Sequence, residues 1–161
     1  MGAAAAGVAL VALLAVYQTS RPGPDDGLDY WLPLDSERLL LRSAPGPEET
    51  ARFLDAIEAY GRHDVARVID RLGSQPIPQT YEPLKLVLAS ALIWDRRYEQ
   101  AGSVLSALDI DTLPQPARDR ARWMLYTVLR RTGREGDASA VARGLASAPG
   151  EFSERARAQL P

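Results

Sequence analysis

Trp94-Asp95-Arg96-Arg97-Tyr98-Glu99-Gln100-Ala101 is the stretch on which the fold is read. An apolar run ends at Trp94, three charged residues follow, and Tyr98 opens a second run that carries a small residue, Ala101. That is the pattern of a tight turn between two antiparallel helices, with alanine where the second helix crosses the first. Comparable turns precede Ala66 and Ala138, and the three alanines stand 35 and 37 residues apart. Those intervals are close to the roughly 34-residue period of helical-hairpin repeats.

Outward from this turn, Leu84, Leu88, Ala91 and Leu92 form one stripe of a helix over 81–94, and its partner runs over 98–108. The first hairpin spans 48–72. Phe53, Leu54, Ile57 and Tyr60 recur at helical spacing, Gly61-Arg62-His63-Asp64 turns, and Val65, Val68, Ile69 and Leu72 return. The third has a long helix over 117–131 with Ala121, Leu125, Val128 and Leu129 inward, a turn at Thr132-Gly133-Arg134 and a return over 137–145. Residues 151–160 read as a last helix, with Phe152, Ala156 and Leu160 on one face, that caps the open end.

The hairpins resemble tetratricopeptide repeats. In the middle one the family's leucine, small residue, aliphatic residue and second-helix alanine fall on Leu88, Ala89, Leu92 and Ala101, with Tyr98 after the turn. The third supplies Leu125, Leu129 and Ala138 but has Tyr126 in the small slot; the first supplies Phe53, Ile57, Gly61 and Ala66 with Leu54 in that slot. The family's tryptophan near the start of the first helix is absent from all three. The resemblance implies an all-α fold: a right-handed stack of about three hairpins with a capping helix over 48–161.

Ahead of the stack, residues 2–17 are an uncharged run, GAAAAGVALVALLAVY. At about 1.5 Å per residue it reaches roughly 24 Å, a little short of a hydrocarbon core of about 30 Å. A single-pass anchor over 1–20, a cleaved signal peptide and a buried helix are the competing readings. A signal peptide should begin with Lys or Arg, and none precedes this run, so the anchor is the reading carried forward. Gly2, the alanines and Gly7 also suit close approach of another membrane helix. Arg21 barely orients the span, but an N-terminal apolar helix usually exports the domain behind it. The expectation is a bacterial inner-membrane protein with its domain outside the cytoplasm. Residues 21–47 form a Pro/Gly-rich connector interrupted by Tyr30, Trp31, Leu32, Leu34 and Leu39 to Leu41. These apolar side chains have three destinations: the first hairpin, the membrane interface, or a partner protein.

Composition narrows the chemistry. Hydrophobic residues are 46% and charged ones 25%, ordinary for a folded chain, and the net charge of −2 argues against nucleic acid. The charge is uneven, at −4 up to Thr50 and +4 from Pro116 onward. There are no cysteines and one histidine, His63, so a thiolate metal site and a nucleophilic dyad both lack members. Gly133-Arg134-Glu135-Gly136-Asp137 lacks the lysine and the strand of a phosphate loop. An enzyme is not expected, nor a cofactor. Arginines 118, 120, 122, 130, 131 and 134 read either as a solvated face paired with acids such as Asp119 and Glu135, or as a basic patch for an acidic protein or lipid headgroups.

In the family the first helices line the concave side. Carried onto this sequence, that spacing selects Glu48, Asp55 and Glu58, then Leu86, Ser90, Ile93 and Trp94, then Arg120, Trp123, Thr127, Arg130 and Arg131. With Tyr30 and Trp31 these are the candidate partner-binding residues, against the alternative that both tryptophans are core. The implied function is a membrane-anchored protein-interaction scaffold. The alternative is an accessory subunit of a large membrane complex: transport, respiratory or photosynthetic. A membrane-linked regulator would need a signalling segment before the apolar run.

Arginine at Leu10 should cost about 2.5–3.5 kcal/mol of membrane insertion. Carbonate extraction checks it: the parent chain stays with the membrane and Leu10→Arg is released, whereas a parent that washes off has no anchor.

Overall fold

The computed structural model describes residues 46–160; the apolar run 2–17 and residues 30–41 lie outside the described residues. Seven α-helices and no strand are found among the described residues. They are α1 (Pro47–Gly61), α2 (Val65–Gly73), α3 (Glu82–Trp94), α4 (Tyr98–Ser106), α5 (Gln115–Arg131), α6 (Glu135–Ser147) and α7 (Ser153–Gln159). Short 3₁₀ turns stand at Gln79–Tyr81 and Ile110–Thr112. The helices pair as α1/α2, α3/α4 and α5/α6, with α2 on α3, α4 on α5, α3 touching α5, and α7 on α6. Among the described residues no helix is long and apolar enough to cross a membrane.

Proline sets three of the helix starts. Pro47, Pro83 and Pro116 occupy the first or second position of α1, α3 and α5, where the missing N–H would have had no intrahelical acceptor. For this reason α5 begins at Gln115, two residues ahead of the expected start.

The three hairpin turns share one geometry. Each first helix ends in a residue of the left-handed region: His63 at φ 59°, Arg96 at 61° and Gly133 at 75°. The amides of these residues donate to Tyr60, Ile93 and Arg130 carbonyls at 3.0, 3.0 and 3.2 Å. The next amides, of Asp64, Arg97 and Arg134, reach five residues back to Ala59, Leu92 and Leu129 at 2.9, 2.8 and 2.8 Å. This double closure is a Schellman motif, which satisfies carbonyls that the helix end would otherwise leave bare.

The turns also reset the repeat register, to intervals of 33 and 37 residues. One turn into each second helix, the amides of Val68, Ala101 and Ala138 donate to Asp64, Arg97 and Arg134. Val68 is therefore the counterpart of Ala101 and Ala138, and all three are fully buried. Ala66, expected at that place, is exposed. The same two-residue shift moves the small slot of α1 from Leu54 to Ala56, which is buried like Ala89. The misplacement has a local cause. In the first turn glycine stands at Gly61, the end of α1, while the left-handed position is held by His63.

In this register Leu54 matches Val87 and Met124, which are 0% and 2% exposed, yet Leu54 is 47% exposed. Met124 packs back against the hairpin before it, within the first of two cores. Leu54 has no preceding hairpin among the described residues, so the same helix position is left open. Glu58, matching Ala91 and Val128, gives that end face a charge, as the outer face of a terminal repeat requires.

Helix α5 divides the two cores. Ala121, Met124 and Val128 complete the core of the first two hairpins. Trp123, Tyr126 and Leu129 form the second with Ala138, Ala142, Leu145, Phe152 and Ala156 of the last hairpin and α7. Close approach is visible where α4 meets α5: a Cβ on Gly102 would stand 3.1 Å from Val128 Cγ1.

Leucine at Ala101 or Ala138 should overpack by about 1–3 kcal/mol. Ala66→Leu should stay within about 0.5 kcal/mol of the parent, because the site is exposed. Urea denaturation separates the two registers. Equal loss at Ala66 and Ala101 would contradict the one described.

Candidate protein-interaction surface

The side of α3 that bears Leu88 and Leu92 looks onto α2 and α4, with Ile69, Asp70, Arg97 and Val104 around it. The opposite side, about half a turn away at 100° per residue, carries Leu86, Ser90 and Trp94. Their counterparts in α5 are Trp123, Thr127 and Arg131, and in α1 Phe53, Ile57 and Gly61. This is the inner face of the first-helix layer.

Its floor is closed to solvent. Leu86, Ser90 and Ile93 are 1%, 0% and 4% exposed, and Trp123 and Thr127 are 3% and 4%. Apolar side chains surround α3, so it is buried on every side. Tyr60 ties α1 to α3 through a hydroxyl contact with Ser90 Oγ at 3.3 Å. Trp123 stacks on Phe152, with ring centroids 5.3 Å apart and planes 12° from parallel, and meets Tyr126 at 5.0 Å. Its indole N–H has no hydrogen-bond acceptor among the described residues. Of the expected contact residues, Leu86, Ile93 and Trp123 are thus core side chains, and Trp94 is half-buried at the edge of the first core.

The charged candidates are exposed or half-buried but paired. Arg120 donates to both carboxylate oxygens of Glu151 at 3.3 Å. Arg130 donates to Tyr126 Oη at 3.1 Å and to Gln159 at 3.3 Å, and lies 3.4 Å from Glu135. The hydrogen bond to Tyr126 holds the Arg130 guanidinium above its ordinary pKa. Arg131 is exposed on the last turn of α5. Arg122 pairs with Asp111 at 2.7 Å, Arg134 pairs with Asp137, and Arg118 donates to the Leu113 carbonyl. The arginines are therefore laced to acids from several elements. Glu135 is one of these partners; Asp119 is instead buried, accepting from Gln115 at 3.2 Å beneath Gly150.

On α1 the acids behave likewise. Glu58 pairs with Arg62, and Asp55 bridges back to Arg67 and Arg71 of α2. Glu48 is exposed at the mouth of a cavity of about 730 Å³ shared with Arg52 and Arg71. Tyr30 and Trp31 lie outside the described residues. His63 sits in the first turn, and among the described residues no group of three or more His, Cys, Asp or Glu forms a metal site.

Sequence reading missed the outer groove between α2 and α4. Two adjoining cavities of about 460 and 380 Å³ share Gly73, Ser74, Leu88 and Val104, with Ile69 at one end and Ile77 at the other. Ile69 and Val104 were readable as second-helix apolar residues; the gap between the two nine-residue helices was not.

No family model, curated protein or solved structure matches the chain.

The ion pairs yield a pH prediction. The hydrogen bond from Arg67 holds the Asp55 carboxyl below its ordinary pKa, against a smaller opposing effect of burial. A depressed folded pKa contributes stability above the unfolded carboxylate pKa and loses it as pH falls through the folded one. Asp55→Asn should lower Tm at pH 7, and the gap to the parent should close on acidification towards pH 2. A gap that survives there contradicts the pairing.

Proposed function

We propose that the chain is a tetratricopeptide-repeat-like interaction module, held beside a bacterial inner membrane by residues 2–17 and working by binding protein rather than by catalysis. The observation that supports this most is the threefold recurrence of one hairpin turn. Hairpins that contact chiefly their neighbours build an extended surface suited to a protein ligand. Trp94, Arg120, Arg130 and Arg131 form the accessible rim. Leu86, Ile93 and Trp123 hold that rim from below; Tyr30 and Trp31, outside the described residues, are further candidates for partner contact by their residue type. The paired arginines favour a protein partner over a polyanion, because their charge is largely neutralised within the chain.

The second reading is an accessory subunit of a large membrane complex. The glycine and alanine spacing of residues 2–7 favours it, since small residues let transmembrane helices pack closely. Mild detergent extraction followed by native mass measurement separates the two: a constitutive subunit stays in one stoichiometric assembly, whereas an adaptor dissociates.

Trp94→Ala and Arg130→Glu in the full chain should each reduce co-extracted partner about tenfold, near 1.4 kcal/mol. Circular dichroism confirms that the variants are folded. Full retention by both would place the contact elsewhere.

A further inference from the structure

On the outer side of α3, opposite the rim that holds Trp94, α2 and α4 each pack on α3 and leave a groove between them. Leu88 and Leu92 form its floor, and Ile69, Ile77 and Val104 are half-buried along its walls. The groove follows α4 from Arg97, just before its start, to Ala107, just after its end. At about 1.5 Å per residue that is roughly 15 Å. Its ends differ in charge. Asp70 and Arg97 stand at one end, where Asp95 neutralises Arg97 at 2.7 Å and Asp70 is exposed, 3.6 Å from Arg71 Nη1. Lys85, the chain's only lysine, stands at the other and makes no ion pair among the described residues. We propose that this groove docks one amphipathic helix of a partner protein, about three turns long, with an acid in its first turn and a base in its last.

The walls and the charges select this occupant. Both walls are helices whose backbone hydrogen bonds are internal, so an extended segment between them would leave its own amides and carbonyls without partners. A helix brings its backbone bonds with it. Opposite charge at the two ends disfavours an acyl chain, which has one polar head. The described helices of a second copy have their apolar faces committed to the two cores, so the helix comes from another protein. Direction follows from the same charges. A helix favours acids near its N-terminus and bases near its C-terminus, so the occupant starts at Lys85 and ends at Asp70. It then runs antiparallel to α2 and α4, whose last carbonyls lie at the Lys85 end, by Gly73 and Ala107. Its apolar residues, three and four apart, meet Ile69, Leu88 and Val104.

The probe is a fluorescein-labelled, stapled helical peptide with leucines along one face, one glutamate in its first turn and one lysine in its last. It is titrated by fluorescence anisotropy against the full chain, in nanodiscs or in buffer as solubility requires. Binding should saturate, and should weaken about tenfold in Val104→Arg and about fivefold in Lys85→Glu, with circular dichroism confirming both folds. Exchanging the probe's glutamate for lysine should restore its binding to Lys85→Glu. Carbodiimide should join the probe's glutamate to Lys85, the only side-chain amine of the chain. A probe with its two charges exchanged should couple about threefold less, because its helix dipole opposes that placement. Absence of saturable binding, or equal binding to the parent and both folded variants, overturns the proposal. So does equal coupling by the two probes, displacement of the probe by dodecanoate at a matching concentration, or Lys85 joined to a second copy of the chain when no probe is present.

Discussion

A helix that reverses direction within three residues must find donors for its last carbonyls before the next helix begins, and in a stack the helix ends crowd their neighbours. The amides of Asp64, Arg97 and Arg134 supply those donors by reaching five residues back. They do so only because the residue before each is in the left-handed region. That closure fixes where the second helix starts, and hence which of its residues meets the first helix one turn later. Val68, Ala101 and Ala138 are buried at that crossing because the turn has placed them there. The stack is one turn geometry used three times.

Much of this was legible before the structure. The middle hairpin reads well because Trp94 and Tyr98 bracket three charged residues, and the third because Gly133 marks the left-handed position itself. The first hairpin slipped by two residues because backbone strain there falls on His63, which carries no glycine signature. Helical periodicity could say that Leu86 and Trp123 lie on a different face from Leu88 and Leu125. It could not say that this face is buried, since the rings and hydroxyls that meet it, Phe152 on Trp123 and Tyr60 on Ser90, come from residues remote in sequence. The arginines of α5 show the same limit. Their partners Asp111 and Glu151 come from elements before and after the helix, and only the packed structure brings them near.

These facts shape what the stack can bind. A concave face of open leucine and tryptophan would be an adhesive groove; here the apolar floor is withdrawn and the accessible edge is charged and internally paired. The open end at Leu54 is softened by Glu58 and Arg62 in the same way. In the proposed interaction, ion pairs exchanged for a partner's would count for more than bulk hydrophobic contact.

The most direct test of the shared turn is the pair Arg96→Gly and Gly133→Ala, with Glu99→Gly as a reference inside a helix. Thermal melts should show Gly133→Ala destabilised by about 1–2 kcal/mol, since a Cβ disfavours positive φ. Glu99→Gly should lose about 1 kcal/mol, while Arg96→Gly should melt at or above the parent. If Arg96→Gly falls as far as Glu99→Gly, or Gly133→Ala melts higher than the parent, the left-handed closure is not what holds these hairpins.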